Sequence, residues 1–538
     1  MKNALKNWYL KSPDELLESL KKWFSYNKKL ALEVALFIGF ITHVVLLSVI
    51  ILAPDGLWNA LHYSAGVVET TSGRWAINII DTLRKDMAFP TITTTISIIV
   101  TAVTAIFVVD FFELKSKFSV IVTAAFLAVS PCFALTLLYS YTADAYAYAF
   151  LFSVLAAWCI YRDKYKIFNC ILASIFIMLT LALYQCYLGA VVVLCIMKPI
   201  IDILRGKKTY KELFTRIGIS ILIVAIGIIL YWVSEQIVLN IYGAELSSYG
   251  GASDISIINT IKNLKGTLIK VYKDFAKFFI GNDVIWNTNM SRPIFYQILF
   301  LAVGVSLLII LIFRKTENKK KKFIDAILVI IAILTIPCGV NIIAIIAPNT
   351  IFYALNSAQI ILIIPFCMAI LEEYPFKRGV ILKYISLLMC LIIGVTYYLA
   401  DNVSYFGVRL KYNQAYSMAL RMVDRIETAE GYSADKPWAI VGIIDDGNTI
   451  PVTDLYFLTY GGFVNGPIFH GNYWGSIETW KKFIQIFLGI QPNFASPEVY
   501  YKVCGTDEFK TMPVFPTPGS VKEIDGTMVV KYTNVVPE

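Results

Sequence analysis

Residues 31–59 read ALEVALFIGFITHVVLLSVIILAPDGLWN. Up to Ala53 the only Asp, Glu, Lys or Arg is Glu33. A helix crossing a bilayer needs about 20 mostly apolar residues, so this run is long enough to span. It stops at Pro54-Asp55-Gly56, a sequence with turn chemistry. No small-residue cleavage site follows, so the run reads as a retained helix, not a removed signal peptide. The stretch therefore predicts a membrane span that delivers an acid, Asp55, to the membrane boundary.

The same pattern recurs down the chain, at 91–110, 118–138, 143–161, 167–184, 188–204, 217–239, 294–313, 323–347, 351–371 and 379–400. With 31–53 this predicts eleven spans. Composition agrees: of 538 residues, 57% are hydrophobic and 16% charged, and mean hydropathy is +0.66. Soluble domains carry about a quarter charged residues, so a soluble enzyme and a disordered chain are excluded. Eight of the nine cysteines lie inside apolar runs, which argues against a disulfide framework or a CxxC metal motif. Three histidines rule out a His-rich metal site, and His43 reads as a packed residue of the first span.

The net charge of +9 does not indicate nucleic acid, because Lys and Arg cluster between apolar runs. With residue 1 inside, the segments facing the cytoplasm hold 27 Lys and Arg, and the three shortest external turns hold none. By the positive-inside rule the N-terminus is cytoplasmic and, after eleven spans, the C-terminus is external. The expected organisation is a basic cytoplasmic tail (1–30), a transmembrane domain (31–400) with external loops 54–90 and 240–293, and an extracytoplasmic domain (401–538). In the last, helical spacing over 405–430 precedes a strand at Trp438 and another at Thr527, so a small α/β lobe is expected. The fold class is mainly α.

Chemistry-bearing residues gather outside. In loop 54–90, Trp58, Leu61, Ala65 and Val68 share a helical face, which predicts an amphipathic helix along the membrane surface. Asp55 is either an N-cap of that helix or a functional carboxylate, and Arg74 either an interfacial anchor or an anion ligand. Asp144, at the start of the fourth span, is either a helix N-cap or first-turn acid, or a functional carboxylate; a carboxylate this close to the bilayer is costly unless paired, capping or functional. In loop 240–293, lysines from Lys262 to Lys277 predict a helix on anionic membrane lipid, and Arg292 is a candidate phosphate ligand. Asp445-Asp446 reads as a turn.

With these segments in order, the chain resembles the GtrII glucosyltransferase family, polytopic bacterial enzymes of the GT-C superfamily. The resemblance rests on Ser72-Gly73-Arg74-Trp75, Ser130-Pro131, the stretch from Tyr139 to Tyr146, Leu183-Tyr184-Gln185-Cys186-Tyr187, and Arg425 to Tyr432 before Val441-Gly442. It implies a GT-C-like fold and a multi-pass protein of the bacterial cytoplasmic membrane. It also implies transfer of a hexose, glucose by family, from a polyprenyl-phosphate donor to a cell-envelope polysaccharide on the external face. By that resemblance Asp55 is the catalytic carboxylate, with Asp144 the second acid by position. Arg74 and Arg292 would bind the donor phosphate, and Tyr460, Tyr473 and Trp474 are candidates for the acceptor glycan. Many relatives carry an acidic pair where this chain has Asp55-Gly56, which favours a single base over a bound Mg2+ or Mn2+ ion. Direct displacement would invert the anomeric centre. The rival readings are a lipid-linked-sugar flippase or other transporter, and a non-enzymatic envelope-assembly protein.

Overall fold

The computed structural model describes residues 12–164, 166–206, 208–247, 263–280, 293–313, 319–347, 354–374, 381–442, 473–532 and 536. Among them, nine helices are long and apolar enough to cross a membrane, from Pro90–Phe112 to Ile381–Glu427. This is a multi-pass membrane protein, and its fold is mainly α. A tenth apolar helix, Ala358–Glu372, is shorter. The first expected span is divided at His43 into Tyr26–Thr42 and Val44–Ser48.

His43 is fully buried, as expected for a packed residue. Its Nε2 lies 2.9 Å from the Ala128 carbonyl, which can only accept, so Nε2 carries the proton. Nδ1 then accepts from the Tyr405 hydroxyl at 2.7 Å. The break in the first span is thereby held by a helix hundreds of residues away in the chain.

One end of the bundle carries segment 54–90; the other gathers most of the Lys and Arg between helices. At that basic end the cations are laced to acids: Lys28 to Asp110 at 2.9 Å, Lys198 to Glu113 at 2.8 Å and Arg205 to Glu373 at 2.7 Å. The helix Leu264–Ile280 forms where the lysine spacing predicts it. Val271, Phe278 and Phe279 are its buried side, while Lys265, Lys273 and Lys277 are exposed.

The helix Ile381–Glu427 runs through residue 400 without interruption, because nothing between Asp401 and Ser404 breaks a helix. Beyond it lie three strands, Trp438–Val441, Val521–Ile524 and Thr527–Lys531. The last is central, parallel to the first and antiparallel to the second. Helix Tyr473–Leu488 packs its Phe483 and Phe487 against Tyr412 of the long helix. Tyr532 and Arg421 add contacts between the sheet end and that same helix.

Segment 54–90 is not a single amphipathic helix. It forms three short helices, Pro54–Trp58, Val67–Thr71 and Ile77–Leu83, closed by a two-residue antiparallel pairing of Leu61–His62 with Met87–Ala88. Leu61 sits at φ +70°, in the left-handed region, which ends helical continuation. The four residues expected on one apolar face are split: Ala65 is buried, whereas Val68 is largely exposed.

Candidate active site

Asp55 is the second residue of helix Pro54–Trp58, whose N-cap is Ala53, and its side chain caps nothing. The bland reading of Asp55 as a helix cap thus fails on geometry. The carboxylate is half-buried, has no ion-pair partner among the described residues, and burial raises its pKa above the ordinary carboxylate value. Gly56 follows because there is no room for anything larger: a Cβ there would stand 2.6 Å from the Leu138 carbonyl oxygen. A second acid beside Asp55 would collide with backbone.

Asp144 is not the N-cap, which is Thr142, but it is the acid in the first turn of helix Ala143–Ile160, as its bland reading also allowed. Its buried carboxylate faces Arg84, with Oδ2 3.2 Å from Nε. Arg84 also pairs with Asp81 three residues earlier, and donates to the carbonyls of Tyr141 at 2.6 Å and Met87 at 2.8 Å. Asp81 in turn accepts from the Ala65 amide at 2.8 Å. All three charged side chains are at most 4% exposed. Burial pushes the Asp81 carboxyl up, to about 7, against the opposing pull of Arg84 and the Ala65 amide. The triad fastens segment 54–90 to the turn before Ala143.

Arg74 differs from Arg84 in having no carboxylate partner among the described residues. Its Nη1 donates to the Tyr146 hydroxyl at 3.2 Å, its guanidinium lies 5.2 Å from the centroid of Tyr184, and its buried Nε has no partner. Tyr146 and Tyr184 are themselves stacked, 4.2 Å apart. The Ser72-Gly73-Arg74-Trp75 motif now has a physical reason. Gly73 has φ +78°, and a Cβ on it would strike the Tyr231 hydroxyl and Gln185 Nε2. Those groups hold the turn by donating to the Gly73 carbonyl, each at 3.0 Å. Gln185 donates also to the Ser72 carbonyl at 2.9 Å.

Tyr141 joins the two halves. It lies within electrostatic reach of both Asp55 and Arg74, and its ring meets that of Tyr63 edge-on at 4.7 Å. The structure therefore brings Asp55, Arg74 and the Asp144 pairing to the same end of the bundle. Arg292 and Tyr460 lie outside the described residues, as do Asp445-Asp446 and the side chains of Tyr473 and Trp474. Sequence reasoning passed over Arg84 and Asp81. The i, i+3 spacing of Asp81-Thr82-Leu83-Arg84 was the available signal.

A divalent cation of the Mg2+ type takes about six oxygen ligands in near-octahedral geometry. Among the described residues no three His, Cys, Asp or Glu side chains gather in a metal-binding group. Arg84 is the shared cation of Asp81 and Asp144, and Asp55 stands outside that pairing. These residues do not fit a Mg2+ or Mn2+ ion.

Fold and site together define a multi-pass membrane protein that presents, at one end of its bundle, a carboxylate and an arginine with no ion-pair partner among the described residues. The family model of glucosyl transferase GtrII matches residues 59–366, more than half of the chain, and the protein belongs to that glucosyltransferase family. Arg74, Arg84 and Asp144 fall inside the matched region; Asp55 lies four residues before it. No curated protein and no solved structure matches the chain.

Proposed function

We propose that the protein transfers glucose from a polyprenyl phosphate to a hydroxyl of a cell-envelope polysaccharide, at the external face of the bacterial cytoplasmic membrane. The observation that supports this reading is the pairing of roles at one end of the bundle: among the described residues, Asp55 has no cap or ion pair to make, and Arg74 has no acid to neutralise. A carboxylate free to take a proton and a guanidinium free to meet an anion are what phosphate displacement by a hydroxyl requires. Nucleotide sugars are made in the cytoplasm, so an external transferase needs its sugar delivered on a lipid.

Asp55 takes the proton of the acceptor hydroxyl as that oxygen attacks the anomeric carbon. The bond from that carbon to the phosphate oxygen breaks, and the electron pair leaves with the polyprenyl phosphate, whose charge Arg74 meets. A single displacement inverts the anomeric centre. Arg84 and its two carboxylates position segment 54–90, and in this role Asp144 does not touch substrate. The 401–538 lobe, with Tyr460, Tyr473 and Trp474, holds the acceptor.

The test is transfer of labelled glucose from polyprenyl-phosphate glucose to purified envelope polysaccharide by the reconstituted chain. Asp55→Asn should insert and fold normally, since Ala53 rather than Asp55 is the N-cap, and should lose transfer by about a hundred- to ten-thousand-fold. Wild-type rates from Asp55→Asn would remove Asp55 from the chemistry. A wild-type chain that moves lipid-linked glucose across vesicles without transferring it would make the protein a transporter instead.

A further inference from the structure

The helix Tyr210–Tyr242 is mostly exposed along its length: Trp232, Ile237 and Ile241 lie on its outer side. Its buried residues form a narrow stripe, Leu213, Ser220, Ile223, Gly227, Glu235 and Leu239. All but one of these are small or apolar. Glu235 is 1% exposed, and among the described residues neither carboxylate oxygen has a hydrogen-bond partner. Buried carboxylates are normally paired or hydrogen-bonded, because losing water without replacement is costly. Close to a membrane, such a group is a functional candidate by default.

Its neighbours tie it to the site already described. Tyr231, one turn back along the same helix, donates from its hydroxyl to the Gly73 carbonyl at 3.0 Å. It lies within electrostatic reach of both Glu235 and Arg74. The helix packs against Val67–Thr71 of the first loop, and just past its end the Ser247 amide donates to the Thr71 carbonyl at 2.9 Å. Glu235 therefore lies one turn beyond the level of Gly73, toward the end of the helix, on the side facing the segment that carries Arg74. Among the described residues no Lys or Arg pairs with it, so there it is not an ion pair like Asp144.

We propose that Glu235 is a sugar-binding residue of this site, its two carboxylate oxygens accepting from neighbouring hydroxyls of a hexose ring. Two acceptor oxygens on one rigid plane match a vicinal diol, and a hexose supplies donors that the protein does not. The inference rests on the transferase reading. The hexose is the donor glucose or the acceptor residue, and separate KM values tell the two apart.

The reconstituted chain is assayed with polyprenyl-phosphate glucose, with donors lacking one ring hydroxyl, and with purified envelope polysaccharide. Glu235→Gln keeps the side chain's shape and removes its charge. Hydrogen bonds to a charged group are worth enough that kcat/KM should fall about ten- to a hundred-fold. A donor-bound Glu235 raises the donor KM, and the wild-type penalty for the matching deoxy donor disappears in Glu235→Gln. An acceptor-bound Glu235 raises the polysaccharide KM alone. The thermal midpoint without substrate should not fall, so a purely structural loss is separable. A Glu235→Gln chain that keeps both KM values overturns this inference and leaves the transferase reading intact. A wild-type chain with no transfer overturns both.

Discussion

Arg84→Met removes the one cation shared by two buried carboxylates while keeping most of the packing volume. Asp81 is 0% and Asp144 1% exposed at the side chain, and Arg84 itself 4%. Breaking a buried ion pair by deleting one partner costs about 3–5 kcal/mol, because the other charge is left uncompensated. Here two charges are stranded, so the upper end applies, limited by proton uptake at one of them. Asp81 is poised for that uptake, with its carboxyl already pushed up to about 7 by burial. The assay is thermal unfolding of the purified chain in nanodiscs as a function of pH. Arg84→Met should melt well below the parent at pH 8, and the deficit should shrink toward pH 5 as the stranded carboxylates protonate. Adding Asp81→Asn and Asp144→Asn to Arg84→Met should recover much of the loss, since no unpaired charge then remains. A single variant as stable as the parent at pH 8, or a triple variant no better than the single, would refute the argument.

Three other outcomes follow from separate features. Gly73→Ala should destabilise the Arg74 turn and cut transfer severely, because it meets both a left-handed φ and the Tyr231 and Gln185 side chains; unchanged kinetics would show that the turn is free to move. As the proposed base, Asp55 would work only when ionised, and burial raises its pKa, so the acid limb of the kcat/KM profile should lie at higher pH than an ordinary carboxylate gives, and activity should fall as pH drops through it. A cysteine at exposed Asp507 should label from outside the cell, and one at exposed Lys320 only after permeabilisation; the reverse would invert the proposed topology.

The apolar runs made the helical architecture legible, since length and hydropathy are local properties. The break at His43 was not legible, because it depends on the Ala128 carbonyl and the Tyr405 hydroxyl, both remote in sequence. Segment 54–90 misled for the same reason. Its apolar spacing is helical, but the pairing of Leu61–His62 with Met87–Ala88 and the left-handed Leu61 override it. At the site, Asp55 and Arg74 were readable as chemistry-bearing residues outside the spans. The fate of Asp144 was not, because its partner Arg84 is far off in the chain and nothing local announces the pair. Gly73 was readable as part of a motif, whereas its reason, contact with Tyr231 and Gln185, is purely three-dimensional.

The helix Ile381–Glu427 has 47 residues, so at 1.5 Å per residue it is about 70 Å long, more than twice the hydrocarbon thickness of a bilayer. It acts as a mast with no hinge at the membrane surface. The sheet and helix Tyr473–Leu488 are lashed to its far part. That second helix also packs on Pro54–Trp58, while the mast's Tyr412 hydroxyl donates to the Leu52 carbonyl and accepts from its amide. Any pull on the lobe would thus load the very turn that carries Asp55. Tension on the lobe becomes, in this architecture, an input to the position of a single carboxylate.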